Sequence, residues 1–251
     1  MNIWFLANCL SLNLAKASYC IFSMSALILN DVALKLMIGG HVIVKSSCCK
    51  YLGVLMDERL NWKLHVDYVF TKLIKFTGIF YKIRDFVPAT CLKKLYYSFV
   101  YPHLLFGIEV YGTACDNVLD RLHKLNNRIL RILLRERRDS HVRDLYIKYK
   151  VLPLSLLYRM KLLQIVHKCI HHRSIMPVIY HDIFVFNNNV HQHNTRKSGS
   201  LHMSCTNSMG SRCLNFRGSK YWNILPPVLR QYSSLAVFKN LIFKHLQNAE
   251  Y

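Results

Sequence analysis

The chain of 251 residues carries 34 lysines and arginines against 13 aspartates and glutamates, a formal charge of +21. Hydrophobic residues make up 52% of it and charged residues 19%, which excludes wholesale disorder and leaves room for one large or two small folded domains. The charge excess favours a polyanionic partner, nucleic acid first and an anionic membrane surface second, although a merely basic soluble protein would carry the same sign.

The apolar N-terminus lacks a basic n-region, and Asn8, Asn13 and Lys16 interrupt it before a spanning length. No other apolar run approaches that length. The nine cysteines include no CxxC pair, which argues against a zinc ribbon and a disulfide framework. The expectation is an intracellular protein of the cytoplasm or nucleus, without a membrane partner, a small-molecule substrate or a metal site.

Taken in chain order, residues 3–14 space Trp4, Leu10 and Leu14 as a short amphipathic helix. Tyr19 to Phe22 reads as a strand. From Asp31, Val32, Leu34, Leu36 and Ile38 alternate with other residues, Gly39-Gly40 signals a hairpin, and His41 to Val44 returns. Tyr51 to Met56 reads as one further strand ending at Asp57-Glu58. From Trp62 the pattern is helical, with Val66, Val69, Phe70, Leu73, Thr77 and Phe80 on one face. Pro88 suits the first turn of a second helix, which runs towards Pro102. A third helix covers about 116–134 and a fourth runs from Pro153 to about His171. Residues 173–200 read as a linker or long loop, and a final helix runs from Ser234 to about Gln247. The fold class is α+β.

Two-metal nucleotidyl transfer needs carboxylates that converge on Mg²⁺. The only adjacent acidic pair is Asp57-Glu58, and neighbours on a strand point to opposite faces, so a solvated turn is expected there. No Tyr-x-Asp-Asp occurs.

The third helix is the clearest electrostatic feature. Lys124, Arg128, Arg131 and Arg135 follow at intervals of four, three and four, beside a stripe of Leu122, Leu125, Ile129, Ile132 and Leu133. Such a helix packs on a core while offering guanidinium groups to phosphates. From Arg121 to Lys150 there are ten basic residues and three acidic ones. Lys72 and Lys75 on the first long helix and Lys93 and Lys94 on the second are candidates to extend the same track. The plainer alternative is a solvated helix face. His167, Cys169, His171 and His172 suggest a metal cluster, yet no acidic residue stands between the helix-spaced histidines, and ordinary helix residues are the expectation. Cys205 and Cys213 with His191, His193 or His202 fit no zinc knuckle.

Several blocks in order resemble the reverse transcriptases of non-LTR (LINE-type, Jockey-, CR1- or RTE-like) retrotransposons. Trp4-Phe5-Leu6-Ala7-Asn8 through Leu12-Asn13-x-x-Lys16 and then Lys50-Tyr51-Leu52-Gly53-Val54 resemble the last two conserved blocks of the palm. His193-Asn194-Thr195-Arg196, Phe216 to Pro227 and Ser234-Leu235-x-x-Phe238-Lys239 resemble the tail of such elements. The resemblance implies a palm remnant of short antiparallel strands and a helix over 1–60, with a primer-grip-like hairpin. A helical thumb and connection over 61–172, a linker over 173–200 and a small C-terminal domain over 201–251 follow. It implies that Lys16 stands where a general acid protonates departing pyrophosphate, with an ordinary surface lysine as the alternative. It also implies that Tyr51 and Gly53 belong to a backbone that grips a primer strand.

The family's catalytic aspartates lie upstream of these blocks. The expectation is therefore a truncated RNA-directed DNA polymerase, inactive alone, that binds RNA or an RNA–DNA duplex and needs Mg²⁺ only within a complete enzyme. The alternatives are a repurposed helical interaction module and a pseudogene product. Oligomeric state is open.

Overall fold

A computed structural model of the chain describes residues 2–23, 35–190, 198–203 and 210–249. The expected strand residues Val32 and Leu34, the motif His193-Asn194-Thr195-Arg196, and His191 and Cys205 lie outside these. The described chain is α+β, with short paired strands followed by packed helices.

Helix α1 spans Asn2–Ala7, and a single 3₁₀ turn, Leu14–Lys16, leads into β1, Ser18–Tyr19. Strands β2 (Met37–Ile38) and β3 (His41–Val42) form the hairpin that Gly39-Gly40 foretells, both glycines having positive φ. β4, Val44–Lys45, pairs in parallel with β1. The stretch expected as one strand over Tyr51 to Met56 is instead the bend of a hairpin. β5, Cys48–Tyr51, pairs antiparallel with β6, Val54–Asp57, across Leu52 and Gly53 at φ of 45° and 87°. The alternation of apolar side chains runs through the bend, which hides it from a period-two reading.

The long helices fall where their apolar periods place them. α2 spans Lys63–Ile83, α3 Ala89–Phe99, α4 Tyr101–Leu105, α5 Ile108–Tyr111, α6 Asp116–Leu134, α7 Val142–Tyr149 and α8 Leu154–His171. Pro88 and Pro153 stand immediately before α3 and α8, where a missing N–H costs no intrahelical bond. α2 lies along α6, and the pair buries Val66, Val69, Leu73 and Phe80 against Leu122, Ile129 and Leu130. A buried polar chain ties three helices together. Tyr96 donates to Asn126 at 3.0 Å, Asn126 to Tyr146 at 3.1 Å, and Tyr146 to Asn127 at 2.7 Å. These three hydrogen bonds fix the register of α3 and α7 on α6.

α8 is covered nearly all round, with only Ser155 and Lys168 exposed. It buries Leu156, Leu157, Tyr158, Leu162, Leu163 and Val166 against α5, α6 and two C-terminal helices. After two 3₁₀ turns and α9 (Asn187–Val190), Leu201 bridges to Phe186, and the Asn223 amide accepts from Leu201 N–H at 2.8 Å and donates to its carbonyl at 2.9 Å. α10 (Leu214–Ile224), α11 (Pro227–Arg230) and α12 (Leu235–Ala249) complete the chain. Trp222 and Phe238 are buried against α8, as a core anchor should be, while Tyr221 is half-buried edge-on to Tyr158. Among the described residues no helix is long and apolar enough to cross a membrane.

Candidate nucleic-acid interface

The β5–β6 hairpin is seated on α2 by two side chains. Asp57 is buried and accepts the backbone N–H groups of Arg59, Asn61 and Trp62 at 3.1, 3.1 and 2.9 Å. This corrects the expectation of a solvated turn, because three converging donors repay the desolvation of the carboxylate. His65, in the first turn of α2, accepts the Leu55 N–H on Nδ1 at 3.3 Å and lies 5.1 Å from the Tyr111 ring. Burial lowers its pKa, and Lys72 lowers it further.

Anchored this way, the hairpin tip projects. Tyr51 and Leu52 are exposed, and the Cβ that an alanine would add at Gly53 falls 3.2 Å from the Phe106 ring. The backbone at the tip is open on one side and backed by an aromatic on the other. Next to it, cations from two elements converge on one ring. Lys50 of β5 lies 5.5 Å, and Lys72 of α2 4.4 Å, from the centre of Tyr68. Hydrogen bonding to Lys72 draws the Tyr68 phenol below its usual pKa, and Lys50 acts in the same direction. Burial, then Lys72 and Lys75, lower the pKa of His103, which places both lysines beside α4. This flank holds positive charge close to a glycine turn.

The chain that follows the Lys16 block runs beside the strands that flank the Tyr51 block. Ser46 N–H donates to Tyr19 O at 2.8 Å and Ser23 N–H to Glu58 O at 2.9 Å, so the segment after Lys16 runs beside β4 and the end of β6. Lys16 itself ends its 3₁₀ turn exposed, without a side-chain hydrogen bond among the described residues.

Two proteins of Drosophila melanogaster are similar to this chain. It is 28% identical over 94 residues to a probable RNA-directed DNA polymerase from transposon X-element, and 26% identical over 98 residues to the RNA-directed DNA polymerase from mobile element jockey. Over these stretches the chain is similar to non-LTR retrotransposon RNA-directed DNA polymerases. The matches cover 36% and 38% of it, and only 10% and 11% of those proteins. No family model matches the chain, and no solved structure does.

The stripe on α6 is divided by its partners. Lys124 pairs with Asp120 at 2.7 Å. Arg135, at φ 56°, donates to Arg84 O at 2.6 Å and lies 3.5 Å from Asp85, so it closes the C-terminal end of α2. Arg128 and Arg131 share a cleft with Tyr81 and Arg84. Lys72 and Lys75 point away from it: α6 packs on the Asp67 and Phe70 flank of α2, where Arg121 pairs with Asp67 and lies 4.0 Å from the Phe70 ring. Lys93 lies 5.8 Å from the Tyr149 ring, and Lys94 is exposed one residue on.

The histidines at the end of α8 have a use that spacing does not disclose. His167, His171 and His172 donate from Nε2 to the carbonyls of Tyr232, Arg230 and Ser233 at 2.7, 3.0 and 2.8 Å. They clasp the turn before α12. Among the described residues no group of three His, Cys, Asp or Glu side chains is placed to hold a metal.

Proposed function

We propose that this chain holds the sugar-phosphate backbone of a template–primer duplex, as the non-catalytic portion of a retrotransposon reverse transcriptase. The observation that carries the reading is the convergence of Lys50 and Lys72 on Tyr68 beside the exposed Tyr51-Leu52-Gly53 tip. Lysine ammonium groups on a shallow flank suit phosphate contacts that do not read sequence. In this reading residues 1–60 are the end of a palm, 61–172 its thumb and connection, and 201–251 a small closing domain. Lys75, and Lys93 and Lys94 on α3, would lengthen the cationic track.

Polymerisation by these residues alone is not part of the proposal. The Asp57-Glu58 pair does not fit a two-metal site, because both oxygens of Asp57 are spent on backbone N–H groups. Affinity for an RNA–DNA duplex, measured by fluorescence anisotropy across a salt series, is expected to fall steeply with salt. Absence of binding even at low salt overturns the reading.

A second reading has its own support. Ile175, Val178 and Ile179 are 79%, 79% and 77% exposed on the two 3₁₀ turns after α8. Apolar side chains so placed favour a protein partner. A stoichiometric pull-down complex that survives high salt would favour this reading over duplex binding.

A further inference from the structure

We propose that the cleft between the C-terminal ends of α2 and α6 binds one unpaired nucleotide of RNA or single-stranded DNA. Arg128, Arg131 and Arg138 hold its phosphate, and its base lies against Tyr81. The site faces away from Lys72 and Lys75, and the inference does not rest on duplex binding there.

The cleft encloses about 500 Å³, within the range of small-ligand sites. Four arginines line it, with Glu136 the one acidic residue, and that carboxylate is already paired with Lys148 at 2.5 Å. Arg128 and Arg138 are exposed and make no side-chain hydrogen bond or ion pair among the described residues. Arg131 spends Nη2 on Ser140 O at 3.2 Å, while its buried Nε has no acceptor. That N–H lies out of reach of solvent, so Arg131 meets a phosphate through its remaining Nη hydrogens. The helix C-termini oppose an anion, and Arg135 offsets this at α2 by covering the Arg84 carbonyl.

The aromatic wall distinguishes a nucleotide from a free phosphate. Tyr81 is 58% exposed, and the Arg84 guanidinium lies 4.4 Å from its ring centre, a composite surface on which a base can stack. A duplex keeps its bases inside and would leave Tyr81 unused, whereas a single strand can splay one base into the hollow.

The full chain would be titrated with labelled oligouridylate, oligothymidylate and an RNA–DNA duplex at several salt concentrations. Arg128→Ala with Arg138→Ala should lower single-strand affinity about tenfold or more and reduce the log–log salt slope by about 0.7, the value for one phosphate on a single strand. Tyr81→Ala should lower it about tenfold with the slope unchanged. Duplex affinity and melting temperature should stay near wild type in both variants. Tighter binding of uridylate or of thymidylate would identify RNA or DNA as the source. Equal losses on single strand and duplex, a silent Tyr81→Ala, or displacement of oligouridylate by an equally charged oligoglutamate would each overturn the proposal.

Discussion

The carboxylate of Asp57 accepts the backbone N–H of Trp62 through Oδ2 at 2.9 Å, at the point where the strands end and α2 begins. Trp62 is buried and held at φ 65°, a conformation that costs a large side chain energy and persists because the carboxylate and the core fix it. Asp57→Ala leaves three donors without their acceptor and should cost about 2–4 kcal/mol in urea unfolding. Asp57→Asn keeps one acceptor but turns an amide NH₂ towards a donor, so its cost should be intermediate. Glu58→Gln should stay within about 0.5 kcal/mol. A wild-type midpoint for Asp57→Asn would show that the carboxylate does not organise the junction.

Acid should loosen the C-terminal clasp. Burial pushes the His167 pKa down from 6.5 to about 4, with neighbouring His171 and His172 adding to the effect against the opposing hydrogen bond to Tyr232 O. The unfolded chain therefore binds the proton more tightly than the folded one. Stability from the neutral ring is complete above pH 6.5 and is lost as the pH falls towards 4, amounting to about 2 kcal/mol once solvent relaxation is allowed for. The ring also stacks on Phe238 at 4.3 Å, so His167→Phe retains the packing. That variant should be less stable at neutral pH, having left Tyr232 O unpaired, and should lose the acid-sensitive step between pH 6.5 and 4. Circular dichroism melts across that window read both effects. An unchanged step would assign it to another group.

The hairpin tip tolerates little growth. At φ 87° an alanine at Gly53 is strained by its own backbone, and its Cβ meets Phe106 Cε1 at 3.2 Å. Gly53→Ala should cost about 1–2 kcal/mol. Phe106→Ala in the same chain should recover only the steric part, so the double-mutant cycle will show coupling without full restoration. Full additivity would mean that the two side chains do not meet.

What sequence reveals here depends on how local its cause is. The long helices are legible because their apolar period is set within each segment and Pro88 and Pro153 mark two starts. The bend at Leu52-Gly53 is hidden, since Leu52, Val54 and Met56 continue an acceptable strand pattern and a single glycine does not fix a turn. Asp57 reads as solvated until Trp62 folds back over it. The histidines at 167, 171 and 172 sit near one another by helical spacing, but the carbonyls they bind lie some sixty residues later. The stripe from Lys124 to Arg135 is visible as a stripe, and Asp120 one turn before Lys124 is legible with it, whereas Asp85 and the Arg84 carbonyl depend on how α2 lies against α6.

Those partners give the basic residues unequal weight in nucleic-acid binding. Lys124 already has Asp120 at 2.7 Å on the preceding turn, so a phosphate must compete with an intramolecular carboxylate. Lys72 and Lys75 face aromatic rings and pair with no acidic residue among the described residues, Lys72 over Tyr68 and Lys75 5.5 Å from the centre of Phe76. An ammonium on a π-face keeps its charge and most of its hydration, so it is free to release a counterion when a phosphate arrives. In anisotropy titrations with an RNA–DNA duplex, Lys72→Ala with Lys75→Ala should flatten the log–log salt slope by about 1.8 and weaken binding severalfold at low salt. Lys124→Ala should change the slope by much less than one charge, because removing it also frees Asp120. Equal flattening by all three substitutions would mean that the duplex senses only net charge, and the Tyr68 flank would then hold no privileged place.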